Sequence, residues 1–276
     1  MIHQSDREAP PTTREYAGYD SMRFERLGDV LRVTLDNPRT RLNTVDARMH
    51  DELRRLFEEL KGETTARAVV LTGSGRAFSA GGDFGWMTGV RAEHLAAMRR
   101  EGKEIVWNLL DVEVPIVAAI NGPAVGLGAT LALLCDTVFM AESATIADPH
   151  VRVGIAAGDG GAVIWPLILG PSLAKRYLMT GDALSADDAA RLGLASAVVA
   201  DEELQGEALA FANRLAAGAP LAIRYTKAAV NQLVKQALTT SFDYSMGLEL
   251  LTFVSADHAE ALRAIRAKET PAFEGR

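Results

Sequence analysis

The sequence predicts an α/β domain of repeated strand–strand–helix units, followed by a helical C-terminal part. Short apolar runs typical of buried strands end in glycine-rich turns that lead into helical patterns, as after residues 68–72 and 115–120. Beyond about residue 171 the apolar spacing is almost entirely helical. Between residues 201 and 268 this spacing predicts four amphipathic helices and no strand.

The predicted organisation is a flexible N-terminal arm over residues 1–20, an α/β core over 21–200 and a helical region over 201–276. The arm is polar and contains two adjacent prolines, a composition that disfavours packing. In the core, apolar runs predict strands at 30–35, 67–72, 115–120 and 136–141. Helical spacing predicts helices around Met49–Leu60 and over 91–111, 129–134, 171–181 and 185–193.

Composition and charge exclude several classes of function. The chain has 276 residues, of which 48% are apolar and 24% charged, as in ordinary globular proteins. A net charge of −7 argues against a general role at nucleic acids or membrane surfaces. Cys135 is the only cysteine, so the chain cannot form an intrachain disulfide. Neither a transmembrane run nor the apolar part of a signal peptide is present, and we expect a cytoplasmic protein.

Two glycine-rich turns, at residues 77–83 and 121–128, indicate the chemistry. Each follows a strand-like run and precedes a helical pattern. A strand that ends in such a turn and starts a helix leaves backbone N–H groups without partners. Two turns side by side could hold one carbonyl oxygen between two N–H donors, which is an oxyanion hole. This arrangement points to a thioester or another activated carbonyl as substrate.

With both turns, the chain resembles the crotonase family, the enoyl-CoA hydratase/isomerase superfamily, over nearly all of residues 22–276. The other matching motifs are Asn37-Pro38 before Leu42-Asn43, Cys135-Asp136, and Leu178-Met179-Thr180-Gly181 before the run Ala189 to Leu194. The resemblance implies a crotonase-like spiral of ββα units with a C-terminal helical trimerisation region. It also implies a homo-oligomer, either a trimer or a dimer of trimers. Coenzyme A would be part of the substrate, with no tightly bound cofactor, metal, nucleic acid or membrane partner.

The same resemblance assigns functional residues. The backbone N–H groups of Gly82 and Leu127 would form the oxyanion hole. The positions that would contact the substrate or its coenzyme A part are Arg41, Ala80, Asp83, Phe84, Thr130, Phe253 and Lys268. Arg41 would lie near the phosphates, although its segment is one residue longer than the usual pattern. Phe253 and Lys268 would close the nucleotide site, either in their own subunit or in a neighbouring one.

Hydratases of this family use two glutamates to place and activate water, and both are absent. Thr130 stands at the first position and His150 at the second. Threonine is not a base near neutral pH, whereas histidine, with an ordinary pKa near 6.5, can be one. Efficient hydration of simple enoyl-CoA esters is therefore not expected, and His150 is the candidate acid/base. Alternatively, His150 lines the pocket and takes no part in proton transfer.

Asp159 follows His150 by nine residues, a distance over which a loop can fold back. An aspartate bonded to one imidazole nitrogen would fix the tautomer and leave the other nitrogen for water. A His–Asp pair at this spacing resembles the dyad of the family's β-diketone hydrolases. Because aspartate is also a favoured helix N-cap, Asp159 could instead serve only as a cap.

Three functions remain open from the sequence. The first is an enoyl-CoA hydratase/isomerase-type enzyme that stabilises a thioester enolate and uses His150 and Asp159 in place of the glutamates. The second is hydrolysis of a C–C bond in a β-diketone. The third is a non-catalytic acyl-CoA-binding protein. A pocket that reaches His150 would count against the third.

Overall fold

The computed structural model describes residues 16–276, so residues 1–15 of the predicted arm lie outside the described part of the chain. The rest of the arm packs on the first strand. The Tyr16 ring stacks on that of Phe24, with centroids 4.7 Å apart. The Asp20 N–H donates to Glu52 at 2.9 Å. The boundaries of the three predicted regions stay a prediction.

The strands of the described residues form one large and one small sheet. They are β1 (Met22–Leu27), β2 (Val30–Leu35), β3 (Ala68–Gly73), β4 (Ile116–Ile120), β5 (Ala124–Val125), β6 (Thr137–Ala141), β7 (Thr145–Ala147), β8 (Leu184–Ser185) and β9 (Ala197–Val199). The large sheet has the order β1-β2-β3-β4-β6-β9. Only the β1–β2 pair in it is antiparallel. The small sheet has the order β5-β7-β8.

The helices surround this sheet and form the C-terminal part. They are α1 (Ala47–Leu60), α2 (Phe84–Thr88), α3 (Leu95–Asp111), α4 (Leu127–Leu134), α5 (Gly161–Leu169), α6 (Pro171–Thr180), α7 (Ala186–Arg191), α8 (Leu204–Ala216), α9 (Pro220–Phe253) and α10 (Ala256–Ala267). The mixed α/β fold with a helical C-terminal region confirms the predicted fold class.

The prediction of four helices between residues 201 and 268 is wrong, because the structure has three. Helix α9 runs for 34 residues without a break. No proline occurs between Pro220 and Pro271, so nothing in this stretch forces the backbone out of the helix. In an amphipathic sequence, only the absence of a helix-ending residue indicates that a single helix continues.

Strands β3 and β4 lie at the centre of the sheet, and every residue in them is buried. Parallel strands covered on both faces carry continuous apolar sequences rather than alternating ones. Helix α8 packs against these two strands, and helices α1 and α3 pack against each other. Because β3 and β4 are parallel neighbours, their carboxyl ends lie at one edge of the sheet. The two glycine-rich turns begin at this edge.

The two turns lie side by side, as the sequence predicts. The Val125 N–H donates to the Ser79 carbonyl oxygen at 2.9 Å. Gly81 has a φ of +84°, and a Cβ there would lie 2.9 Å from the Val125 carbonyl oxygen. A Cβ on Gly128 would lie 2.6 Å from the Ser79 carbonyl oxygen. Glycine is required at both positions because the two backbones approach too closely for a side chain.

Helix α9 exposes a series of large apolar side chains, namely Leu221, Tyr225, Leu233, Tyr244, Leu248 and Leu251. The sequence contains more apolar residues here than one buried helix face needs, and the structure leaves the excess on the surface. Among the helices of residues 16–276, none combines the length and apolar character needed to cross a membrane.

Candidate active site

The N–H groups of Gly82 and Leu127 point away from other backbone partners. Gly82 pairs with Val45 through its neighbours: the Val45 N–H donates to the Gly81 carbonyl, and the Asp83 N–H donates to the Val45 carbonyl. The intervening Gly82 N–H therefore faces the opposite side. Leu127 is the first residue of α4, where N–H groups have no intrahelical partner and the helix dipole is positive. Within residues 16–276 neither N–H donates a hydrogen bond.

Both turns form part of the wall of a pocket that encloses about 900 Å³, including its part open to solvent. Much of the wall is apolar, with Met87, Met98, Ile155, Met246, Leu250 and Phe253. Four titratable side chains also line it: His50, His150, Asp159 and Glu249. The pocket thus joins two free N–H donors to a group of acid/base side chains inside an apolar enclosure.

Asp148 orients His150. It is the first residue after β7 and is fully buried. Its Oδ1 is hydrogen-bonded to His150 Nδ1. The other oxygen, Oδ2, lies against the backbone at Gly161, where a Cβ would come within 2.0 Å of it. Since Nδ1 is held by Asp148, the Nε2 atom of His150 is the one left for a substrate.

The sequence predicts this orienting role for Asp159, whereas in the structure the residue bonded to His150 Nδ1 is Asp148. Asp159 Oδ2 lies 3.6 Å from His150 Nε2, which is longer than a hydrogen bond. Asp159 Oδ1 accepts from the Thr130 hydroxyl at 3.0 Å and from the Gly161 N–H at 3.4 Å. Asp159 therefore caps the start of α5 with one oxygen and faces His150 with the other. The Asp148-Pro149-His150 sequence places a second aspartate near His150, but it does not indicate which of the two aspartates orients the ring.

Burial and charge set the protonation of this cluster. Burial disfavours the charged form of His150, but the carboxylates of Asp148 and Asp159 outweigh it and raise the His150 pKa well above 6.5. Burial also raises the pKa of Asp159, against the pull of the His150 charge. The imidazole therefore holds a proton at neutral pH, whereas an ordinary pKa near 6.5 would leave the ring mostly neutral there. The proton on His150 contributes to the free energy of unfolding. This contribution is fully present below pH 6.5 and is lost as the pH rises through the raised pKa.

Glu249 is a pocket residue that the sequence analysis missed. It lies on α9 with 6% of its surface exposed, and its Oε2 atom has no hydrogen-bond partner among the described residues. Burial, and next the charge of Asp159, raise the pKa of Glu249 to about 8. Nothing in the local sequence of α9 marks it, because only the fold brings it to the pocket.

His50 lines the pocket from α1 and was also missed. Its Nδ1 lies 3.2 Å from Glu101 Oε2 on α3. Its ring packs against Trp86, with centroids 5.4 Å apart. Trp86 itself lines the pocket.

The residues assigned to coenzyme A by resemblance fall into different places. Ala80, Phe84 and Phe253 line the pocket. Asp83 is the N-cap of α2, where its carboxylate accepts from the Trp86 N–H at 2.9 Å. The structure therefore gives Asp83 a role in holding α2, and its side chain is not part of the pocket wall.

Thr130, Arg41 and Lys268 lie outside the pocket wall. Thr130 is fully buried, and its hydroxyl donates to Asp159, so it positions that carboxylate instead of facing the substrate. Arg41 is an exposed residue of the turn after β2. Lys268 is exposed at the C-cap of α10 with a φ of +56°. Within the described single chain, neither cation reaches the pocket.

Asp148, His150 and Asp159 also offer ligand atoms within 4.8 Å of one another, close enough to hold a metal ion. Metal ligation requires a neutral imidazole, and the two carboxylates here favour the imidazolium instead. His150 Nδ1 is moreover already bonded to Asp148. The donor set therefore fits proton transfer better than metal binding.

Known proteins similar to this chain indicate its family. The family model of enoyl-CoA hydratase/isomerase matches residues 25–276. The chain is 30% identical over 260 residues to crotonyl-CoA hydratase of Syntrophomonas wolfei, covering 92% of this chain and 98% of that protein. The crystal structure of an enoyl-CoA hydratase/isomerase from Mycobacterium paratuberculosis is similar at 41% identity and a TM-score of 0.85. The match covers 90% of this chain and 99% of that one.

A β-diketone hydrolase of the cyanobacterium Anabaena, whose structure holds (S)-3-oxocyclohexyl acetic acid, is similar at 31% identity and a TM-score of 0.79. This match covers 85% of the present chain and 94% of the hydrolase. Proteins named for different activities, among them a hydratase and a hydrolase, are therefore similar to this chain. Two findings show the family of this chain: the matched family model, and the relative that is 30% identical over nearly the whole length. The chain belongs to the enoyl-CoA hydratase/isomerase family.

Proposed function

We propose that the protein transforms an acyl-CoA thioester through an enolate whose oxygen is held by the N–H groups of Gly82 and Leu127. One observation carries the proposal: a single pocket joins these two free N–H donors to the Asp148–His150–Asp159 cluster. Backbone donors fixed in a water-poor site stabilise charge that develops on an oxygen in the transition state. The same pocket speaks against a purely binding function, because it reaches His150.

His150 and Asp159 would divide the work of the two absent glutamates. At neutral pH the imidazolium is an acid, and an ionised Asp159 carboxylate is a base. In hydration of a C=C bond, water adds its hydroxide to the β-carbon and gives its proton to Asp159. His150 gives its Nε2 proton to the α-carbon. Transfer of the proton from Asp159 to His150, 3.6 Å away, restores the starting state.

The coenzyme A part and the assembly complete the proposal. The substrate thioester would enter past Ala80, Phe84 and Phe253, which line the pocket. The exposed apolar side of α9 supports a homo-oligomer, a trimer or a dimer of trimers, because so large an apolar surface is unusual on a monomer. In such an assembly Arg41 and Lys268 could meet the phosphates across a subunit boundary.

Hydrolysis of a β-diketone is the second candidate. Two observations favour it: the likeness to the Anabaena hydrolase, and the buried histidine flanked by two carboxylates in place of two glutamates. In that reaction water attacks one carbonyl, the C–C bond breaks, and the second carbonyl leaves as an enolate that takes up a proton. The nucleotide separates the candidates, because only the thioester reaction requires coenzyme A for binding.

Exchange of the α-protons of butyryl-CoA in D₂O tests enolate formation without assuming the final reaction. We expect the protein to catalyse deuterium uptake, measured by mass spectrometry: the Asp159 carboxylate takes the α-proton, the oxyanion hole holds the resulting enolate, and the His150 imidazolium, exchanged with D₂O, returns a deuteron to the α-carbon. The matched probe is the butyryl thioester of pantetheine, which lacks the nucleotide and should exchange more slowly. Absence of both exchange and binding with butyryl-CoA would contradict the proposed function.

A further inference from the structure

His50 is a buried titratable side chain of the pocket wall, and the proposed proton transfers leave it without a role. It lies on α1 with 7% of its surface exposed. Val45, which precedes this helix, pairs with Gly82. The His50 N–H donates to the carbonyl oxygen of Asp46, the residue after Val45, at 2.9 Å. His50 therefore lies about one helical turn from the backbone pairing that positions the Gly82 N–H.

Glu101 on α3 occupies one of the two ring nitrogens of His50. Its Oε2 atom lies 3.2 Å from His50 Nδ1. This hydrogen bond is also the main cause of the lowered pKa of Glu101, so the carboxyl group is ionised at neutral pH. Because a carboxylate only accepts hydrogen bonds, Nδ1 carries the hydrogen in this pair. In the neutral ring the second nitrogen, Nε2, is then an acceptor.

Nε2 is the nitrogen of His50 that is left for a ligand. Among residues 16–276 it has no hydrogen-bond partner, and unlike Glu249 Oε2 it is not sealed off by the surrounding atoms. The two nitrogens of an imidazole point in different directions, so Nε2 points away from Glu101. Since His50 lines the pocket, Nε2 is the polar atom that this residue can offer to a substrate.

The imidazole of His50 is held in place on two sides. Glu101 bonds its Nδ1 atom, and the Trp86 ring packs against it with centroids 5.4 Å apart. An acceptor that a bound acyl chain leaves without a partner costs free energy, because it loses its hydrogen bond to water. A pocket with such a fixed acceptor therefore favours ligands that carry a matching donor.

We propose that His50 Nε2 accepts a hydrogen bond from a hydroxyl group on the acyl chain, so that the pocket selects hydroxylated acyl-CoA thioesters over plain alkyl ones. The hydroxyl would lie beyond the reacting carbons, because His50 stands on a different element from His150 and makes no bond to the Asp148–His150–Asp159 cluster. This inference rests on the proposed function, since it takes the substrate to be an acyl-CoA thioester that reacts at this cluster.

Two other roles for His50 give different results in a binding experiment. If His50 only ties α1 to α3 through Glu101, its loss would weaken the binding of all ligands alike. If the ring is an imidazolium, Nε2 is a donor and would select a carboxylate instead. The ligands are therefore hexanoyl-CoA and octanoyl-CoA, their ω-hydroxy counterparts and their ω-carboxy counterparts. None of these saturated esters can be hydrated, and the two lengths place the end group at two depths.

Four proteins are compared by calorimetry: the wild type, His50→Gln, which keeps an acceptor oxygen, His50→Leu, which has none, and His94→Leu, which makes the same change at an exposed histidine outside the pocket. At the better-fitting length, we expect the wild type and His94→Leu to prefer the ω-hydroxy ester over the alkyl ester by about tenfold, as one hydrogen bond of ordinary strength provides. His50→Gln should keep part of this preference. His50→Leu should lose it and bind the alkyl ester at least as tightly as the wild type does.

Three results would overturn the inference: no preference of the wild type for the hydroxyl group at either length, tighter binding of the ω-carboxy ester than of the ω-hydroxy ester, or a preference that survives in His50→Leu. The first two need only the wild type, so they apply even if a variant does not fold. Each leaves the proposed function intact as long as an alkyl ester binds and exchanges its α-protons. If no ester binds, the proposed function itself fails.

Discussion

Replacing His150 with glutamine is expected to slow α-proton exchange of butyryl-CoA by about 10²- to 10⁴-fold, the usual contribution of a positioned acid or base. Glutamine can still accept or donate a hydrogen bond, but it cannot carry a proton between substrate atoms. Binding of butyryl-CoA should change by no more than a few fold, because the two N–H donors and the apolar wall are unchanged. Mass spectrometry gives the exchange rate, and calorimetry gives the dissociation constant.

The matched control is His94→Gln, which makes the same change at an exposed histidine near the start of α3. It should leave the exchange rate at the wild-type value. An exchange rate in His150→Gln within threefold of the wild type would show that this imidazole does not move the proton.

Asp148→Asn is expected to lower the exchange rate by a similar factor of about 10²–10⁴, although this residue does not line the pocket. Loss of the carboxylate removes both the partner that fixes the imidazole orientation and the nearest charge that raises its pKa. The acid form of His150 would then be lost at a lower pH. Consequently the alkaline limb of the pH–rate profile should move to lower pH, which a merely structural defect would not produce.

Asp201→Asn serves as the control, because Asp201 lies on the surface and its carboxylate accepts from Ser143. It should change neither the rate nor the profile. An Asp148→Asn protein with a wild-type alkaline limb would contradict the assignment of Asp148 as the positioning residue of His150.

The sequence predicts most of the central sheet because its signals are local. Strands β2, β3, β4 and β6 are apolar runs with clear ends, and the close contact of the two turns follows from glycines at the ends of parallel strands. Strands β5 and β8 have two residues each, which is too short for a periodicity. The prediction divides helix α9 into two helices, because the spacing of apolar residues does not show whether the helical backbone continues.

The same difference between local sequence signals and contacts made only by the fold applies to the candidate site. His150 and Asp159 could be found because the family resemblance marks the position of His150, and because Asp159 follows it at the spacing of a His–Asp dyad. The orienting role of Asp148 could not, since the choice between two aspartates depends on how the loop closes over a few ångströms. Glu249 is 90 residues further along the chain than Asp159, and no local feature links the two. The raised pKa of His150 likewise depends on burial and on two neighbouring charges, which sequence does not measure.

The most direct test of the central claim is a crystal structure of the protein with butyryl-CoA bound. We expect the thioester carbonyl oxygen to lie about 2.7–3.1 Å from both the Gly82 and Leu127 nitrogens, with the α-carbon facing His150 Nε2 and Asp159 Oδ2. A carbonyl oxygen that contacts neither nitrogen, with the acyl chain in the pocket, would contradict the proposed enolate chemistry.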